Sequence, residues 1–446
     1  MTKDMTQGSP IRLILKFTIP LIFGNLFQQF YSMVDTIIVG RYLGNESLAA
    51  VGCTGSINFL IIGFCVGLCS GFAIPVSQQF GAKDFQSLHR YVGNIVWLTA
   101  GLSAVFTLLT VILCMPMLEW TNTPQDIILE AYWYIVIIFA GIPAIFLYNI
   151  LASLLRALGD SRTPVIFLIM ASFLNIGFDF LLVVIIPIGV AGAAIATVLA
   201  QLLSGVACLI YIAKKFPLLH ITRDDLKIRK DYISRLCSVG LPMGLQISIT
   251  GLGSILLQAA VNSLGSMIVA AVTAAGRLYG LFCCVFDAMG IAMSTYGGQN
   301  IGARKIERLA PGVKAGMILA GIYSIISMVL IYFFGKPMLM LFVDASESSI
   351  LNDAYLFMLI NGAFSLALSC IYIIRLFIQG MGYSKMAMFA GVCEMAARSI
   401  AGLWLVPQFG YIAACFASPI AWIMADLFLI PAYFYIMRQL KRWGTG

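Results

Sequence analysis

Charge is scarce in this sequence. Only 10% of its 446 residues are Asp, Glu, Lys or Arg, against about 25% in soluble domains. With 61% hydrophobic residues, that excludes an ordinary water-soluble globular domain. Histidine is rarer still: His89 and His220 stand far apart, and no two cysteines have CxxC spacing. No metal-ligand set is legible. Most cysteines lie inside apolar runs (Cys65, Cys69, Cys208, Cys415), where a thiol acts as a small apolar group. Short alternating segments are lacking, which excludes a transmembrane β-barrel. No cleavable signal peptide is evident, so the first span is expected to serve as its own anchor. The net charge of +8 does not require a nucleic-acid partner, because the placement of the charge explains it better. No nucleophile–base pair stands out, so an enzyme is not expected.

What the chain does have is long apolar runs, with a mean hydropathy of +0.97. Runs of 18 or more apolar residues mark spans of a bilayer. Charged and Gly/Pro breaks divide them into twelve expected helices: 12–42, 53–80, 90–118, 127–152, 163–187, 190–214, 234–262, 270–300, 309–336, 350–379, 385–407 and 411–438. Assigned to alternate sides, the loop cations gather on one side (Lys83, Arg162, Lys214, Arg304 and others), and only Arg41 and Lys336 fall on the other. Positive residues favour the cytoplasm. Both termini are therefore expected on the cytoplasmic side of the membrane. The run 214–235 is read as a solvated linker rather than a site for anionic lipid. Pro20 and Pro143 are expected to bend their helices.

The sequence repeats itself. QQFGAKD from Gln78 resembles QNIGARK from Gln299, an offset of 221. GVAGAAIAT from Gly189 matches GYIAACFAS from Gly410 at the same offset, and LRALGDS from Leu155 resembles IQGMGYS from Ile378. IPLIFG from Ile19 resembles LPMGLQ from Leu241. Four matches in order imply two six-helix halves: residues 1–215 and 235–446, joined by linker 216–234. Both halves start on the same side, so they are parallel repeats related by a pseudo-two-fold axis along the membrane normal. The expected fold class is an all-α polytopic membrane protein of two such bundles. Facing bundles that open to either side suit a transporter better than a receptor or channel. The QQFGAKD and GQNIGAR loops are read as helix C-caps with glycine turns.

Five acids fall inside expected helices: Asp35, Asp179, Asp287, Glu394 and Asp426. A charge at the bilayer centre costs roughly 2.5–3.5 kcal/mol, so each needs a partner or a role. Counting at 1.5 Å per residue from the outer ends of their spans places Asp35, Asp179 and Thr197 at one depth, roughly 10–12 Å in. Asn175 shares a face with Asp179, one turn deeper. No Lys or Arg accompanies them. Such oxygen donors suit Na+; alternatively, two carboxylates crowded in a low dielectric repel, and one readily holds a proton. The blander reading is that these acids only hydrogen-bond across helices. The repeat-equivalent positions are Leu256 or Leu257, Ala396, Ile400 and Ser418, so the set belongs to one half alone. Glu394 and Arg398 form an i,i+4 pair that neutralises itself. Asp287 could join them in a polar cluster of the second half that responds to substrate or to opening. Arg375 is expected to snorkel at a helix end. Asp426 has no assigned role.

Pro20, MVDTIIVGRYLG, QQFGAKD, LLRALGDSRTP, GQNIGARK and the six-plus-six repeat together resemble the multidrug and toxic compound extrusion (MATE) transporters, most nearly their DinF/MepA-like bacterial branch. The likeness covers essentially the whole chain. It implies export of bulky, often cationic or amphipathic drug-like molecules in exchange for inward H+ or Na+, with no cofactor besides that ion. Related proteins hold their first-half cation on an Asp of helix 1, an Asn and an Asp four apart in helix 5, and a Thr of helix 6. Here those positions read Asp35, Asn175, Asp179 and Thr197. Gln28 and Asn149 resemble cavity-facing positions of the family, though either could simply bond between helices. Some branches carry acids in helices 7 and 10; this chain has none inside helix 7 and none deep in helix 10. The expected partners are small molecules and the lipid bilayer, and the expected state is a monomer. A flippase or exporter of lipid-linked or polysaccharide precursors is the alternative function. Flippases tend to have extra helices and a strongly basic cavity, neither of which this sequence shows.

Overall fold

A computed structural model describes residues 3–121, 123–343 and 347–444 of the protein. Among the described residues there is no β-strand. In chain order the helices are α1 (Pro10–Tyr42), α2 (Asn45–Ala82), α3 (Phe85–Trp120), α4 (Ile128–Ala140), α5 (Ile142–Ala157), α6 (Arg162–Asp179), α7 (Val190–Lys215) and α8 (Lys230–Asn262). They continue with α9 (Ser266–Gly302), α10 (Leu309–Leu339), α11 (Ser348–Ala363), α12 (Ser365–Cys370), α13 (Leu376–Gly380), α14 (Ser384–Ile400), α15 (Val406–Phe409) and α16 (Tyr411–Gly444). Ten spans among the described residues are long and apolar enough to cross a membrane. There are twelve when two bent pairs, α4 with α5 (47°) and α11 with α12–α13 (53°), each count as one. Backbone groups in lipid must be satisfied within their own segment, which is why apolar stretches of this length become helices. In the fourth span the break is at Gly141, with Pro143 in the first turn of α5. There its missing N–H costs no helical bond.

The repeat read from sequence is written into the backbone of each half. The breaks fall at Gly141 and Phe364, 223 residues apart. Left-handed residues recur in register: Gly44 with Gly265, Lys83 with Arg304, Gly189 with Gly410 (each 221 apart) and Gly159 with Gly382 (223 apart). A π-helical segment follows α6 (Phe180–Ile185) and another follows α14 (Ala401–Leu405), again 221 apart at their starts. The caps differ from expectation in one respect. The left-handed cap positions of QQFGAKD and QNIGARK are Lys83 (φ 59°) and Arg304 (φ 56°), while Gly81 and Gly302 are still helical. A side chain there costs roughly 1–2 kcal/mol. The cap N–H groups offset it, with Lys83 N bonding Phe80 O and Asp84 N bonding Gln79 O, both 3.1 Å.

By packing, the described chain divides into two compact units. Unit 1 holds the residues up to Asp4 together with Pro20–Gly244; unit 2 holds Met5–Ile19 and the chain from Leu245 onward. In unit 1, a core of Leu68, Phe72, Phe139, Phe146 and Leu155 excludes solvent completely or nearly so. Small residues let its helices touch. Gly67 and Gly71 of α2 lie against Gly244 and Gly240 of α8; a Cβ on Gly71 would stand 2.5 Å from Gly240 Cα. These are two GxxxG pairs run antiparallel, a form of close packing that serves where lipid supplies no hydrophobic drive. The LRALGDS turn also has a structural task. Asp160 Oδ1 accepts from the N–H groups of Arg162 (3.0 Å) and Thr163 (3.1 Å) at the start of α6. Gly159, at φ 81°, admits the carbonyl of Lys3 where a Cβ would lie 2.0 Å from it.

Candidate functional site

In unit 1 the structure brings together the side chains that the depth argument selected. Asn175 (3% exposed) and Asp179 (0%) are buried on α6, and Asp35 is half-buried on α1. Asn175 Nδ2 donates to Thr197 Oγ1 of α7 at 3.3 Å. That uses the Asn donor and leaves its acceptor over. Asn175 Oδ1, Asp35 Oδ1 and both oxygens of Asp179 are buried, and no N–H or O–H donor among the described residues reaches them. The Asp35 and Asp179 carboxyls instead face one another within hydrogen-bonding range. Two ionised carboxylates are acceptors only, so such a bond exists only with a proton between them. The helices that carry the site keep their basic residues near their ends: Arg12, Lys16 and Arg41 on α1, Arg162 on α6, Lys214 and Lys215 on α7. Four acceptor oxygens thus stand without a donor among the described residues.

Local structure positions this set. Asp179 is the last α-helical residue before the π segment 180–185. A π turn widens the helix and re-aims the side chains around it, and such segments concentrate at functional sites. The fold supplies the segment in both halves, but only the first half places an acid at its lip; the second has Ile400. Two tyrosines that the sequence reading passed over complete the surroundings. Tyr31, one turn before Asp35, and Tyr134 of α4 lie within electrostatic reach of both carboxyls, and Tyr31 is hydrogen-bonded with Gln28. The signal for Tyr31 was available, since it shares a helix face with Asp35. Tyr134 had none in local sequence. Gln28 is exposed and linked to the site through Tyr31. Asn149 spends its Nδ2 on Ile145 O of its own helix (2.8 Å).

Unit 2 holds a second buried polar group. Glu394 Oε1 meets Arg398 Nη2 at 2.8 Å, and its Oε2 meets Arg375 Nη1 at 3.3 Å. Arg375 does not snorkel. It is 8% exposed and ends a π segment (Ile371–Arg375) that has no counterpart in the first half. Burial is possible because Glu394 lies across from it, 19 residues on, where sequence spacing gave no hint. Arg398 also bonds Ser254 Oγ (2.7 Å) and Thr250 O (3.3 Å) of α8. Gln379 Nε2 donates to Gln246 Oε1 (3.3 Å). The Nε atoms of both arginines and Oδ1 of Asp426 are buried without a hydrogen-bond partner among the described residues. Asp426 is within electrostatic reach of Arg375 and Glu394. Asp287 is half-buried on α9 near Tyr372, the ring beneath the Arg375 guanidinium. The pair Glu394–Arg398 is thus a triad with Arg375, and Asp287 borders it through Tyr372.

A multi-span helical protein, internally repeated, with polar groups buried within its spans, has the make-up of a membrane transporter. The profile of the MatE family matches the chain twice, over residues 20–181 and 242–404. Together these cover more than half of it, and the chain belongs to that family, the multidrug and toxic compound extrusion transporters. It is 30% identical over 354 residues to the probable multidrug resistance protein YpnP of Bacillus subtilis (strain 168), covering 79% of each chain. To the DNA damage-inducible protein F of Escherichia coli (strain K12) it is 27% identical, over 76% of this chain and 74% of that one. Its fold is that of a MATE protein crystallised in complex with MaL6: the TM-score is 0.91 at 22% identity, with 99% of this chain and 100% of the other covered. The protein is accordingly a multi-pass membrane transporter of a bacterial multidrug-efflux family, not an enzyme, and needs no cofactor.

Proposed function

We propose that this protein exports bulky, often cationic or amphipathic compounds in exchange for inward H+ or Na+, and that Asp35, Asn175, Asp179 and Thr197 are the coupling site. The observation that carries the reading is the set of four buried acceptor oxygens that no donor satisfies. A cation supplies what they lack. Asp35 and Asp179 compensate its charge, Asn175 Oδ1 adds a neutral oxygen, and Thr197 holds the Asn amide by its nitrogen so that its oxygen faces the site. Na+ is bound by all of these as a hard cation; a proton is held between the two carboxyls. With no arginine or lysine in the site, nothing competes with the travelling ion.

Alternating access then follows from exposure. Opened to the side where the cation is abundant, the site loads; opened to the other, it releases, and the carboxyls regain their need for a counter-charge. Substrate and ion are exchanged when each biases the two halves, 1–215 and 235–446, toward opposite states. Both termini then lie in the cytoplasm and the protein acts as a monomer. Gln28 and Tyr31 extend the site toward the substrate cavity, with Asn149 on its wall. The triad of Glu394, Arg398 and Arg375, with Asp287 at its border, responds to substrate or to opening in the second half.

Efflux of a fluorescent cation from energised vesicles tests this reading. Wild type is expected to export it, and Asp35→Asn and Asp179→Asn to be inactive at equal membrane abundance. Undiminished export by both variants would remove the coupling site. Repeating the assay with and without Na+ at fixed pH identifies the ion.

A further inference from the structure

Unit 1 contains a cavity of about 600 Å³ bounded by α3, α5, α7 and residues 219–221 of the linker, and neither Asp35 nor Asp179 lines it. Its walls are apolar, among them Ile95, Leu147, Leu151, Leu209 and Ile221. Val96, Ala100 and Leu209 border it and are exposed, so it opens on the face that a membrane-spanning protein turns to lipid.

The linker that closes one end is not loosely solvated. Pro217–Leu219 form a 3₁₀ turn, and a ring nitrogen of His220 bonds Ala213 O at 2.7 Å. Trp97 Nε1 donates to Leu226 O (2.9 Å), and Asn94 accepts from Arg229 N (3.0 Å) and donates to Lys227 O (3.4 Å). At Gly93 the linker comes so close that a Cβ would stand 2.1 Å from Asp225 O. The linker at this end of the cavity is therefore fixed, and basic residues flank the lining in sequence. Lys214 and Lys215 directly follow Ala213, a lining residue; His220 lines the cavity; Arg223 follows Ile221 by two. Lys214, Lys215 and Arg223 are exposed and form no ion pair among the described residues. The neighbouring acids are already engaged: Asp224 with Lys227, and Asp225 with Thr222 through its N–H and hydroxyl.

From an apolar cavity open to the bilayer, with exposed basic residues without ion pairs flanking its linker end, we infer that this is a binding site for an anionic phospholipid. One acyl chain fills the cavity, and the headgroup phosphate rests on Lys214, Lys215, His220 and Arg223. Basic pockets between spans select anionic headgroups in this way. A zwitterionic lipid would fill the same cavity but gain nothing at the rim.

The test uses the delipidated full chain in detergent. Phosphatidylglycerol or phosphatidylcholine of matched chains is titrated in and binding is read by native mass spectrometry. Wild type is expected to bind one phosphatidylglycerol in preference to phosphatidylcholine. The triple variant Lys214→Gln, Lys215→Gln, Arg223→Gln, all at exposed positions, should bind phosphatidylglycerol on the order of a hundredfold less well, at about fivefold per basic residue. Ala100→Trp, at the exposed mouth, blocks the cavity without repacking a core and should weaken both lipids. Equal binding of the two lipids by wild type would overturn the inference, as would an unaffected triple variant. If Ala100→Trp binds phosphatidylglycerol like wild type, the rim attracts charge without a seated chain, and the site fails. Competition by soluble glycerol phosphate at equal concentration would point to a free phosphate as ligand and overturn it too.

Discussion

Replacing Asp179 by Asn nearly preserves the shape of the side chain, removes its charge and turns one acceptor into a donor. The residue is fully buried and neither oxygen has an N–H or O–H donor among the described residues. No protein partner is stranded by the change, so the usual cost of breaking a buried ion pair, about 3–5 kcal/mol, does not arise. A carboxylate in the bilayer core costs roughly 2.5–3.5 kcal/mol, and relief of that cost favours the variant's fold. Cation binding moves the other way. A unit charge about 4 Å from a carboxylate gains about 4 kcal/mol at an effective dielectric of about 20, roughly a thousandfold in affinity. Thermal unfolding in detergent and efflux from vesicles, measured on the same preparations, separate the two effects. Asp179→Asn should melt at or above the wild-type temperature and export at background. Wild-type efflux would refute the coupling role. A melting temperature several degrees lower would show that Asp179 serves the fold instead.

Other perturbations follow from single contacts. Thr197→Val strands the buried Nδ2 of Asn175, a cost of about 1–3 kcal/mol; the coupling ion should need a several-fold higher concentration for half-maximal transport, with a modest drop in melting temperature. Glu394→Gln leaves two buried guanidiniums sharing a neutral amide and should destabilise by about 3–5 kcal/mol, read by thermal unfolding; an unchanged melting temperature would mean the triad contributes nothing to the fold. Gly71→Val drives a side chain into the backbone of Gly240 and should cost about 1–3 kcal/mol, whereas Gly101→Val, where a Cβ meets nothing within 4 Å, should be tolerated in the same unfolding measurement.

Much of the architecture is legible in sequence because lipid allows few alternatives. Long apolar runs must become helices, and a repeat at one offset carries its turns and caps with it, although the left-handed caps fall on Lys83 and Arg304 rather than on the expected glycines. The depth count selected Asp35, Asn175, Asp179 and Thr197 because helical rise is fixed and the connection between α6 and α7 is short, and the structure sets Asn175 against Thr197 and Asp35 against Asp179. Three things were beyond that count. The π segments after Asp179 and at Arg375 shift side chains around a helix with no marker in local composition. Tyr134 reaches the carboxyls, and Arg375 reaches Glu394, across helices, so spacing along the chain says nothing of either contact. The facing GxxxG pairs at Gly67 and Gly240 were readable one at a time, but their pairing depends on tertiary packing. The linker read as solvated for the same reason: its hold on Asn94, Trp97 and Gly93 spans more than a hundred residues.

Counting the cations that the purified protein takes up tests the central claim most directly. Calorimetric titration with Na+ at fixed pH, alongside proton uptake in weakly buffered solution, covers both candidate ions. Wild type should bind one cation per chain by one of these routes, and the Asp35→Asn/Asp179→Asn double variant should bind none by either. Uptake by the double variant equal to wild type would contradict the account.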